Sequence, residues 1–348
     1  MKKTEAEKMP VTDAELDAAL AQMAEEAPPM PADFHARWMN AVRAEAGSTA
    51  PAEEPAPKNT LSVVRLTRIL SIAAVFVFLI GGIDLSIATL CAFSAVVVVS
   101  VTHLLGDTPG AVMAGVLAAL VVGALAGAVH GLVITTFKIP AFLVTFATQS
   151  IFLGLAMVFT NNKIVSCTVP AFTAIGAFKI LGFPLPVYFM VIIALISWYV
   201  LRKTVYGRYV YAVGGNPTAS EISGINVKLA SIICYVISGL TTAMGGIVLA
   251  SMTQQASSST GAGYTNDVIT AAVIGGVSLL GGEGTVPGAI FGAVLMGLLN
   301  NGLNLMSVPS THAGLVKGLV IVVAVAFDAM QHADQSRKKV KKVKKASA

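Results

Sequence analysis

Long apolar segments follow one another along this chain from about residue 66, and short polar or glycine-rich stretches separate them. Crossing about 30 Å of hydrocarbon requires roughly 20 helical residues, and most of these segments approach that length. Because backbone exposed to lipid must pair internally and no barrel-like alternation is present, we expect helices. The predicted spans are 66–83, 86–105, 111–134, 141–160, 185–201, 229–252, 266–281, 286–305 and 313–330.

This pattern predicts an all-α polytopic transmembrane helix bundle with about eight or nine membrane segments, one of them discontinuous or re-entrant. Small residues recur inside the segments, as in "GALAGAVHG" and "GAIFGAVLMG". Gly123, Gly127 and Gly131 stand at every fourth position, which lets the backbones of two helices approach closely. We therefore expect compact packing within a transmembrane domain over residues 61–330.

A different pattern precedes the first span. Residues 1–60 hold two short amphipathic motifs, "TDAELDAALAQM" and "ADFHARWMNAV", and a segment rich in proline and small or acidic residues follows each of them. Thr12 and Glu15 form a predicted capping box at the start of the first motif. We expect this region to be a mostly flexible acidic tail in the cytoplasm.

Composition places the helices in a membrane. The chain is 55% hydrophobic and 12% charged, whereas soluble domains contain about 25% charged residues. The motif "RKKVKKVKK" makes residues 331–348 a basic tail, which the positive-inside rule places in the cytoplasm. Nucleic-acid binding could also produce such a tail, but we expect no nucleic-acid partner. Cys91, Cys167 and Cys234 are far apart without histidines at ligand spacing, so we expect neither a disulfide framework nor a metal site.

The span count and the charges disagree about the position of the head. An odd number of spans with a cytoplasmic C-terminus would place residues 1–60 outside the cell. Arg65 and Arg68 lie next to the first span and favour a cytoplasmic location. Because charges close to the first helix usually set its orientation, we expect a cytoplasmic head, with 66–105 crossing once and its glycine break re-entrant or displaced to the surface.

That break is the motif "GGIDLS" inside a long apolar run. Gly81 and Gly82 can end one helix, and the Asp84 carboxylate can accept backbone N–H groups at the start of the next. The motif, which includes Ser86, is either a structural turn or a discontinuous helix along a translocation path. A partial echo, "GGVSLL" at 275–280, weakly indicates an internal duplication.

Several amide side chains lie in or near the ends of predicted spans. They can hydrogen-bond hydroxyl-rich solutes along a path, or they can bond neighbouring helices, which is the commoner use. Lys317, near the start of the last span, is expected to extend its ammonium group to the membrane surface. The amides are Gln149, Asn161, Asn162, Asn300, Asn301 and Asn304.

A polar strip, "GRYVYAVGGNPTASEISGINV", lies between two predicted spans. Arg202, Lys203, Arg208 and Lys228 flank it or lie within it, so the positive-inside rule places the strip in the cytoplasm. Turn formers and a C-capping Gly224 bound a short helix outside the membrane, which is typical of a docking element. No GxxxxGK[ST] motif occurs in the chain, so any ATP used must be bound by a partner.

This strip, with "GGIDLS" before it and "ITAAVIGGVSLLGGEGTVPGAIFGAVLMGLLNNGLNLM" after it, resembles the permease subunits of bacterial ABC importers for monosaccharides, the ribose, xylose and galactoside group. The resemblance covers about residues 81–330, with all blocks in order. It implies a homodimeric permease in the cell membrane that docks two ATPase domains and receives sugar from an extracytoplasmic binding protein. It also implies an ATPase-coupling helix comprising Gly215, Asn216, Ala219, Glu221 and Gly224.

The chain departs from that family at its front. Family members carry another transmembrane helix and an intact second one before "GGIDLS", whereas "LTRILSIAAVFVFLIGG" and the acidic head look like a small membrane-bound regulatory protein. We expect a foreign N-terminal segment joined near Gly81. One alternative function is therefore a non-transporting fusion with a permease remnant.

A second alternative is a self-powered secondary transporter, which would need buried ionisable groups across several helices. Asp84 is nearly alone in the predicted spans. No nucleophile, base and orienting group can be recognised together, so we expect neither enzymatic activity nor a cofactor bound by this chain.

Overall fold

The computed structural model describes residues 70–72, 74–309 and 312–326 of the chain. The amphipathic motifs of the head, the basic tail, and the outer parts of the first and last predicted spans lie outside the described residues. The described part is a bundle of α-helices with four two-residue strands in its connections.

The helices, numbered in chain order, are α1 (Leu70–Leu79), α2 (Ile87–Leu104), α3 (Pro109–Phe137), α4 (Ala141–Thr160), α5 (Pro170–Ala177), α6 (Leu185–Lys203), α7 (Val205–Gly215), α8 (Pro217–Ile222), α9 (Val227–Thr253), α10 (Tyr264–Ile274), α11 (Val286–Leu305) and α12 (His312–Ala326). The strands are β1 (Val165–Ser166), β2 (Lys179–Ile180), β3 (Phe183–Pro184) and β4 (Gln255–Ala256). Strand β1 pairs antiparallel with β4, and β2 pairs antiparallel with β3.

Six of the described helices are long and apolar enough to cross a membrane, namely α2, α3, α4, α6, α9 and α11. They confirm six of the predicted spans and the all-α polytopic bundle. The other three predicted spans correspond, within the described residues, to the shorter helices α1, α10 and α12. At about 1.5 Å per residue, α10 is roughly 16 Å long, which is about half of the hydrocarbon thickness.

Helix α10 is shorter than the predicted span 266–281 because a glycine ends it. Gly276 has φ of +76°, and its N–H bonds the carbonyl oxygen of Val273 at 2.9 Å. The N–H of Val277 bonds the carbonyl oxygen of Ala272, also at 2.9 Å. This pair of bonds is a helix C-cap that requires a residue with positive φ. The apolar residues that follow the cap made the segment look like one continuous span.

We name the two ends of the bundle by the elements found there. The α7–α8 end holds the connection between α6 and α9, and the β1–β4 end holds the strand pair that follows α4 and α9. Helix α2 runs toward the β1–β4 end, because His103 near its C-terminus places Nε2 2.9 Å from the carbonyl oxygen of Ser166 in β1. Helix α9 runs the same way, from α8 to β4.

The predicted close packing of α3 is confirmed. A Cβ atom on Gly123 would lie 2.5 Å from the carbonyl oxygen of Gly239 on α9, and one on Gly131 would lie 2.6 Å from the Cα atom of Ile232. Gly127, between them, meets the backbone of α9 in the same way. Residues later in the sequence of α3 therefore contact residues earlier in the sequence of α9. The two helices are antiparallel and packed backbone to backbone.

Helix α1 lies inside the bundle. Leu70, Ile72, Phe78 and Leu79 are fully buried and belong to a hydrophobic cluster with residues of α2, α6, α9 and α10. Alternate residues of the break that follows, Gly82, Asp84 and Ser86, are buried as well, and Asp84 is 3% exposed. Whether the break is re-entrant or displaced to the membrane surface stays a prediction, because burial within the protein does not fix its depth in the membrane. The position of the head relative to the membrane stays a prediction.

A polar cluster ties α10, α11 and α12 together. The Asp267 carboxylate is buried, and its Oδ2 accepts a hydrogen bond from Asn300 Nδ2 at 2.9 Å. Lys317 Nζ lies 3.2 Å from each carboxylate oxygen. One expectation is thereby corrected: Lys317 pairs with Asp267 instead of extending to the membrane surface. Asp267 is a second buried carboxylate of the predicted spans beside Asp84, and its partner cation makes its burial tolerable.

Replacing Lys317 should destabilise the bundle. Removing one partner of a buried ion pair leaves an uncompensated charge and costs about 3 kcal/mol. We expect Lys317→Met to lower the melting temperature of the purified protein in detergent by several degrees. Lys163→Met is the control, because Lys163 is exposed in the connection after α4. Adding Asp267→Asn to Lys317→Met should recover part of the loss. Equal melting temperatures for the two lysine variants would contradict this role of the ion pair.

Candidate functional site

The break between α1 and α2 begins with a glycine helix end. The N–H of Gly81 bonds the carbonyl oxygen of Phe78 at 2.8 Å, and the N–H of Gly82 bonds that of Val77 at 2.9 Å. Gly81 has φ of +74°, a conformation that glycine adopts without the steric penalty of a Cβ atom. The predicted end of a helix at these glycines is confirmed.

Hydroxyl groups from two other helices hold the unwound backbone of the break. Thr145 Oγ1 on α4 accepts a hydrogen bond from the N–H of Leu85 at 3.1 Å and lies 3.1 Å from the carbonyl oxygen of Ile83. Thr265 Oγ1 on α10 donates a longer hydrogen bond to the carbonyl oxygen of Leu85 in the break, at 3.4 Å, and accepts one from the N–H of Ala88 in the first turn of α2, at 3.1 Å. Because hydrocarbon offers no water to such groups, these side chains allow a non-helical segment to exist inside the bundle.

Asp84 is the charged residue of the break. Its Oδ1 accepts hydrogen bonds from the backbone N–H of Ser86 at 2.9 Å and from the Ser86 hydroxyl at 2.7 Å. Its Oδ2 accepts a longer hydrogen bond from Ser238 Oγ on α9, at 3.4 Å. The carboxylate thus lies beside the N-terminus of α2, where the helix dipole favours negative charge. The predicted capping interaction is present, and it is directed at Ser86, the N-cap residue itself.

The "GGVSLL" echo resembles "GGIDLS" in local structure, but its helix end is shifted by one residue. Each motif follows a helix that ends at a glycine with positive φ, which is the first glycine of "GGIDLS" (Gly81, +74°) and the second glycine of "GGVSLL" (Gly276, +76°). Ser278 then accepts a hydrogen bond from the backbone N–H two residues further on, at Leu280, just as Asp84 does from Ser86. The two breaks are also adjacent, because the carbonyl oxygen of Leu280 would lie 3.2 Å from a Cβ atom on Gly81.

A buried polar group faces the second glycine of the break. Tyr235 on α9 is 1% exposed, and a Cβ atom on Gly82 would overlap its hydroxyl oxygen. That oxygen has no hydrogen-bond partner among the described residues. His130 on α3 lies beside Tyr235, with ring centroids 6.3 Å apart, and its Nε2 lies 2.7 Å from Thr148 Oγ1. Side chains of α3, α4 and α9 therefore meet next to Gly82, and no larger residue fits there.

Two of the predicted amides lie near the break. Asn300 is buried and bonds Asp267, which is two residues after the Thr265 that holds the start of α2. Gln149 is half-buried on α4, four residues after Thr145, so the two share one face of that helix.

The remaining amides lie elsewhere. Asn161 is exposed at the C-cap of α4, and its distance from Thr145 along that helix is about 24 Å at 1.5 Å per residue. Asn304 is exposed in the last turn of α11, and Asn301 is half-buried one turn before it. Among the described residues, no hydrogen bond joins any of these three side chains to the break.

The predicted short helix of the polar strip is confirmed as α8. Asn216 is its N-cap, and the Asn216 Oδ1 atom accepts a hydrogen bond from the N–H of Ala219 at 2.9 Å. Gly224 follows its last turn with φ of +83°, and the N–H of Gly224 bonds the carbonyl oxygen of Glu221 at 2.9 Å. Proline at the first helical position and glycine just beyond the end explain why so short a helix forms.

Helix α8 projects from the bundle. Ser220 is its one buried residue, whereas Gly215, Asn216, Ala219 and Glu221 are exposed. Ile222 is 83% exposed, which leaves an apolar side chain at the tip of a charged and polar surface. Helix α8 therefore presents a short, capped and largely exposed surface at this end of the bundle.

Sequence reasoning missed the groups that hold the break. Thr145, Ser238 and Thr265 are hydroxyl residues within apolar segments, and nothing in their spacing shows that they converge on one loop. Asp267 was missed as well, although a carboxylate inside an apolar segment is a signal that it has a partner. Among the described residues, no group of three or more His, Cys, Asp and Glu is placed to hold a metal ion.

Comparisons with known proteins agree with this arrangement. Residues 57–325 match the family described as "Branched-chain amino acid transport system / permease component". The "Ribose import permease protein" of Escherichia coli K12 is 39% identical over 274 residues, covering 78% of this chain and 84% of that protein. The corresponding protein of Haemophilus influenzae is 36% identical, with 78% and 84% covered. The "L-arabinose ABC transporter permease protein" of Azospirillum brasilense is 33% identical, with 76% and 77% covered.

No solved structure matches the chain at a significant level. The matched range begins at residue 57 and so includes 57–80, part of the segment that we predicted to be foreign. The origin of the residues before it stays a prediction. The predicted resemblance to permease subunits is confirmed over most of the chain. The chain therefore belongs to the family of transport-system permease components, and it is a multi-pass membrane permease and not an enzyme.

Proposed function

We propose that this chain forms the transmembrane path of an ATP-driven ABC importer for a monosaccharide. Its partners are a separate ATPase subunit, an extracytoplasmic sugar-binding protein and a second copy of the permease. The relatives are named for ribose and L-arabinose, which supports a monosaccharide as the substrate class. The exposed, doubly capped helix α8 carries the proposal, because it offers the ATPase a rigid surface.

The charges around α8 support a cytoplasmic position for that end. Arg202 and Lys203 form the last turn of α6, and Lys228 is exposed in the first turn of α9. Helix α12 also runs toward this end. Lys317 pairs with Asp267 near the start of α10, and Val320, the next residue of α12 that packs here, belongs to a cluster with Ala271 and Ile274 further along α10. Helix α12 ends at Ala326, at this same end of the bundle, and the positive-inside rule favours a cytoplasmic position for the basic residues that follow in the sequence.

The break supports a path for an uncharged, hydroxyl-rich solute. It places unwound backbone and hydroxyl groups of α4, α9 and α10 in the interior of the bundle. Both described carboxylates of the interior are already bonded, Asp84 to Ser86 and Asp267 to Lys317. This arrangement favours a transporter driven by a partner's ATP over one driven by protons on these carboxylates.

Glycines on exposed helix faces support a second copy. A Cβ atom on Gly154 of α4, or on Gly314 or Gly318 of α12, would meet nothing within 4 Å. Gly314 and Gly318 are one turn apart and exposed, the spacing at which two membrane helices approach closely. We assign this side of α12 to contact with a second permease chain.

Cross-linking tests that contact. In membranes treated with a copper–phenanthroline oxidant, a Gly318→Cys variant should yield a disulfide-linked dimer. Leu195→Cys is the control, because Leu195 is 60% exposed on a different helix, α6. The unsubstituted chain, whose cysteines at 91, 167 and 234 are buried, should yield no dimer. Absence of a dimer from Gly318→Cys, or an equal yield from Leu195→Cys, would contradict the assignment.

A substitution at the tip of α8 tests the coupling surface. Ile222→Gln keeps an exposed side chain of similar size but removes an apolar contact, so the fold of the permease should be unchanged. We expect the ATPase subunit to bind about thirtyfold more weakly, which corresponds to the loss of about 2 kcal/mol that marks an interface hot spot. ATP-dependent uptake of D-ribose or L-arabinose into proteoliposomes containing the assembled importer should fall with it.

The matched control is Leu181→Gln. Leu181 is 90% exposed in the β2–β3 turn, which is separated from α8 by the whole length of α6. ATPase binding should be the same in this variant as in the unsubstituted chain. If Ile222→Gln binds the ATPase as tightly as Leu181→Gln does, α8 is not the coupling surface.

A further inference from the structure

The turn "GGEG", residues 281–284, joins two parts of the molecule that are remote in sequence. It lies between α10 and α11, and the N–H of Gly282 bonds the carbonyl oxygen of Leu79 at the end of α1 at 2.9 Å. The hydroxyl of Tyr211 on α7 donates a hydrogen bond to the carbonyl oxygen of Gly284 at 2.8 Å. The GGEG turn therefore bonds α7 on one side and the start of the break on the other.

Glycines make these contacts backbone to backbone. A Cβ atom on Gly281 would lie 2.7 Å from the nitrogen of Gly81 and 2.9 Å from the carbonyl oxygen of Gly214. A Cβ atom on Gly282 would lie 2.9 Å from the nitrogen and the Cα atom of Gly215. Gly81, Gly214, Gly215, Gly281 and Gly282 thus form one junction of three chain segments, which we call the glycine junction.

The glycine junction lies directly between the coupling surface and the break. Gly215 immediately precedes Asn216, the N-cap of α8, and Gly81 is three residues before Asp84. A side chain between two segments can change rotamer and absorb a small displacement. Backbone atoms in direct contact cannot do so, because packed interiors are stiff on this scale. Movement of α7 and α8 therefore has to move the GGEG turn and the end of α1 with it.

We propose that the glycine junction, fastened by the Tyr211 hydroxyl, transmits the movement of α7 and α8 to the break at Asp84. This inference rests on the proposed function, in which an ATPase subunit docks on α8 and moves it during its cycle. Gly282 and Tyr211 are then positioning residues, because they act on the translocation path through the break and not by contact with sugar.

Two glycines of the same loop provide a matched pair of variants. Gly282 has φ of +77° and Gly276 has φ of +76°, so an alanine is equally strained at either position. A Cβ atom at Gly276 meets nothing within 4 Å, whereas one at Gly282 presses against Gly215. Comparing Gly282→Ala with Gly276→Ala therefore isolates the contact across the junction. Tyr211→Phe is a milder variant that removes only the hydrogen bond to Gly284.

Hydrogen–deuterium exchange of the complete permease–ATPase complex tests the inference without knowledge of the transported sugar. Exchange is compared between the nucleotide-free complex and the complex trapped with MgATP and orthovanadate. In the unsubstituted complex, trapping should change exchange both in residues 216–224 and in residues 80–88. In Gly282→Ala the change in 216–224 should remain, and the change in 80–88 should be lost. Gly276→Ala should behave as the unsubstituted complex does.

The outcomes separate this inference from the proposed function. If the ATPase fails to protect residues 216–224 in the unsubstituted complex, the coupling role of α8 is wrong, and the inference falls with it. If α8 responds to trapping but residues 80–88 respond equally in Gly282→Ala and Gly276→Ala, the inference alone is overturned. Should Gly282→Ala fail to assemble, Tyr211→Phe decides: a response of residues 80–88 as large as in the unsubstituted complex overturns the inference.

Discussion

Hydrocarbon provides no water to an unwound backbone, and this constraint organises the interior of the bundle. The segment between α1 and α2 leaves N–H and carbonyl groups without helical partners, and each of them would be costly in a membrane. Thr145, Thr265 and the Asp84 carboxylate supply the missing hydrogen bonds. The positions of α4 and α10 relative to α2 follow from this requirement, because a threonine hydroxyl reaches only a backbone that is in direct contact with its helix.

Small residues allow the helices to approach closely enough for side-chain hydroxyls to bond a neighbouring backbone. The glycines of α3 bring its backbone onto α9, and Gly82 brings the break onto Tyr235 of the same helix. Helix α9 therefore contacts α3 along its length while also presenting Ser238 to Asp84. Glycines also allow close backbone contact at the α7–α8 end. There, the five glycines of the glycine junction let the break, the GGEG turn and the C-terminus of α7 touch without side chains between them.

The contrast between predicted and observed features has a physical basis. The six long spans and α8 could be predicted, because apolar length, Asn216, Pro217 and Gly224 act locally on the backbone. The pairing of Asp267 with Lys317 could not, since the two residues are separated by 50 positions and meet only when α10 and α12 pack. The predicted span 266–281 extends beyond the end of helix α10, because a glycine cap inside an apolar stretch leaves the hydropathy of the segment almost unchanged. Hydroxyl residues such as Thr145 look alike in sequence whether they bond their own helix or a neighbour.

Thermal unfolding of two threonine variants on one helix tests the central claim that side-chain hydroxyls sustain the break. Thr145→Val removes the group that accepts the Leu85 N–H, whereas Thr160→Val removes a buried hydroxyl that bonds only carbonyl groups of its own helix. An unsatisfied buried backbone group costs about 1–3 kcal/mol, so Thr145→Val should melt several degrees below Thr160→Val in detergent, and Thr145→Ser should stay close to the unsubstituted protein. Identical melting temperatures for Thr145→Val and Thr160→Val would contradict the account.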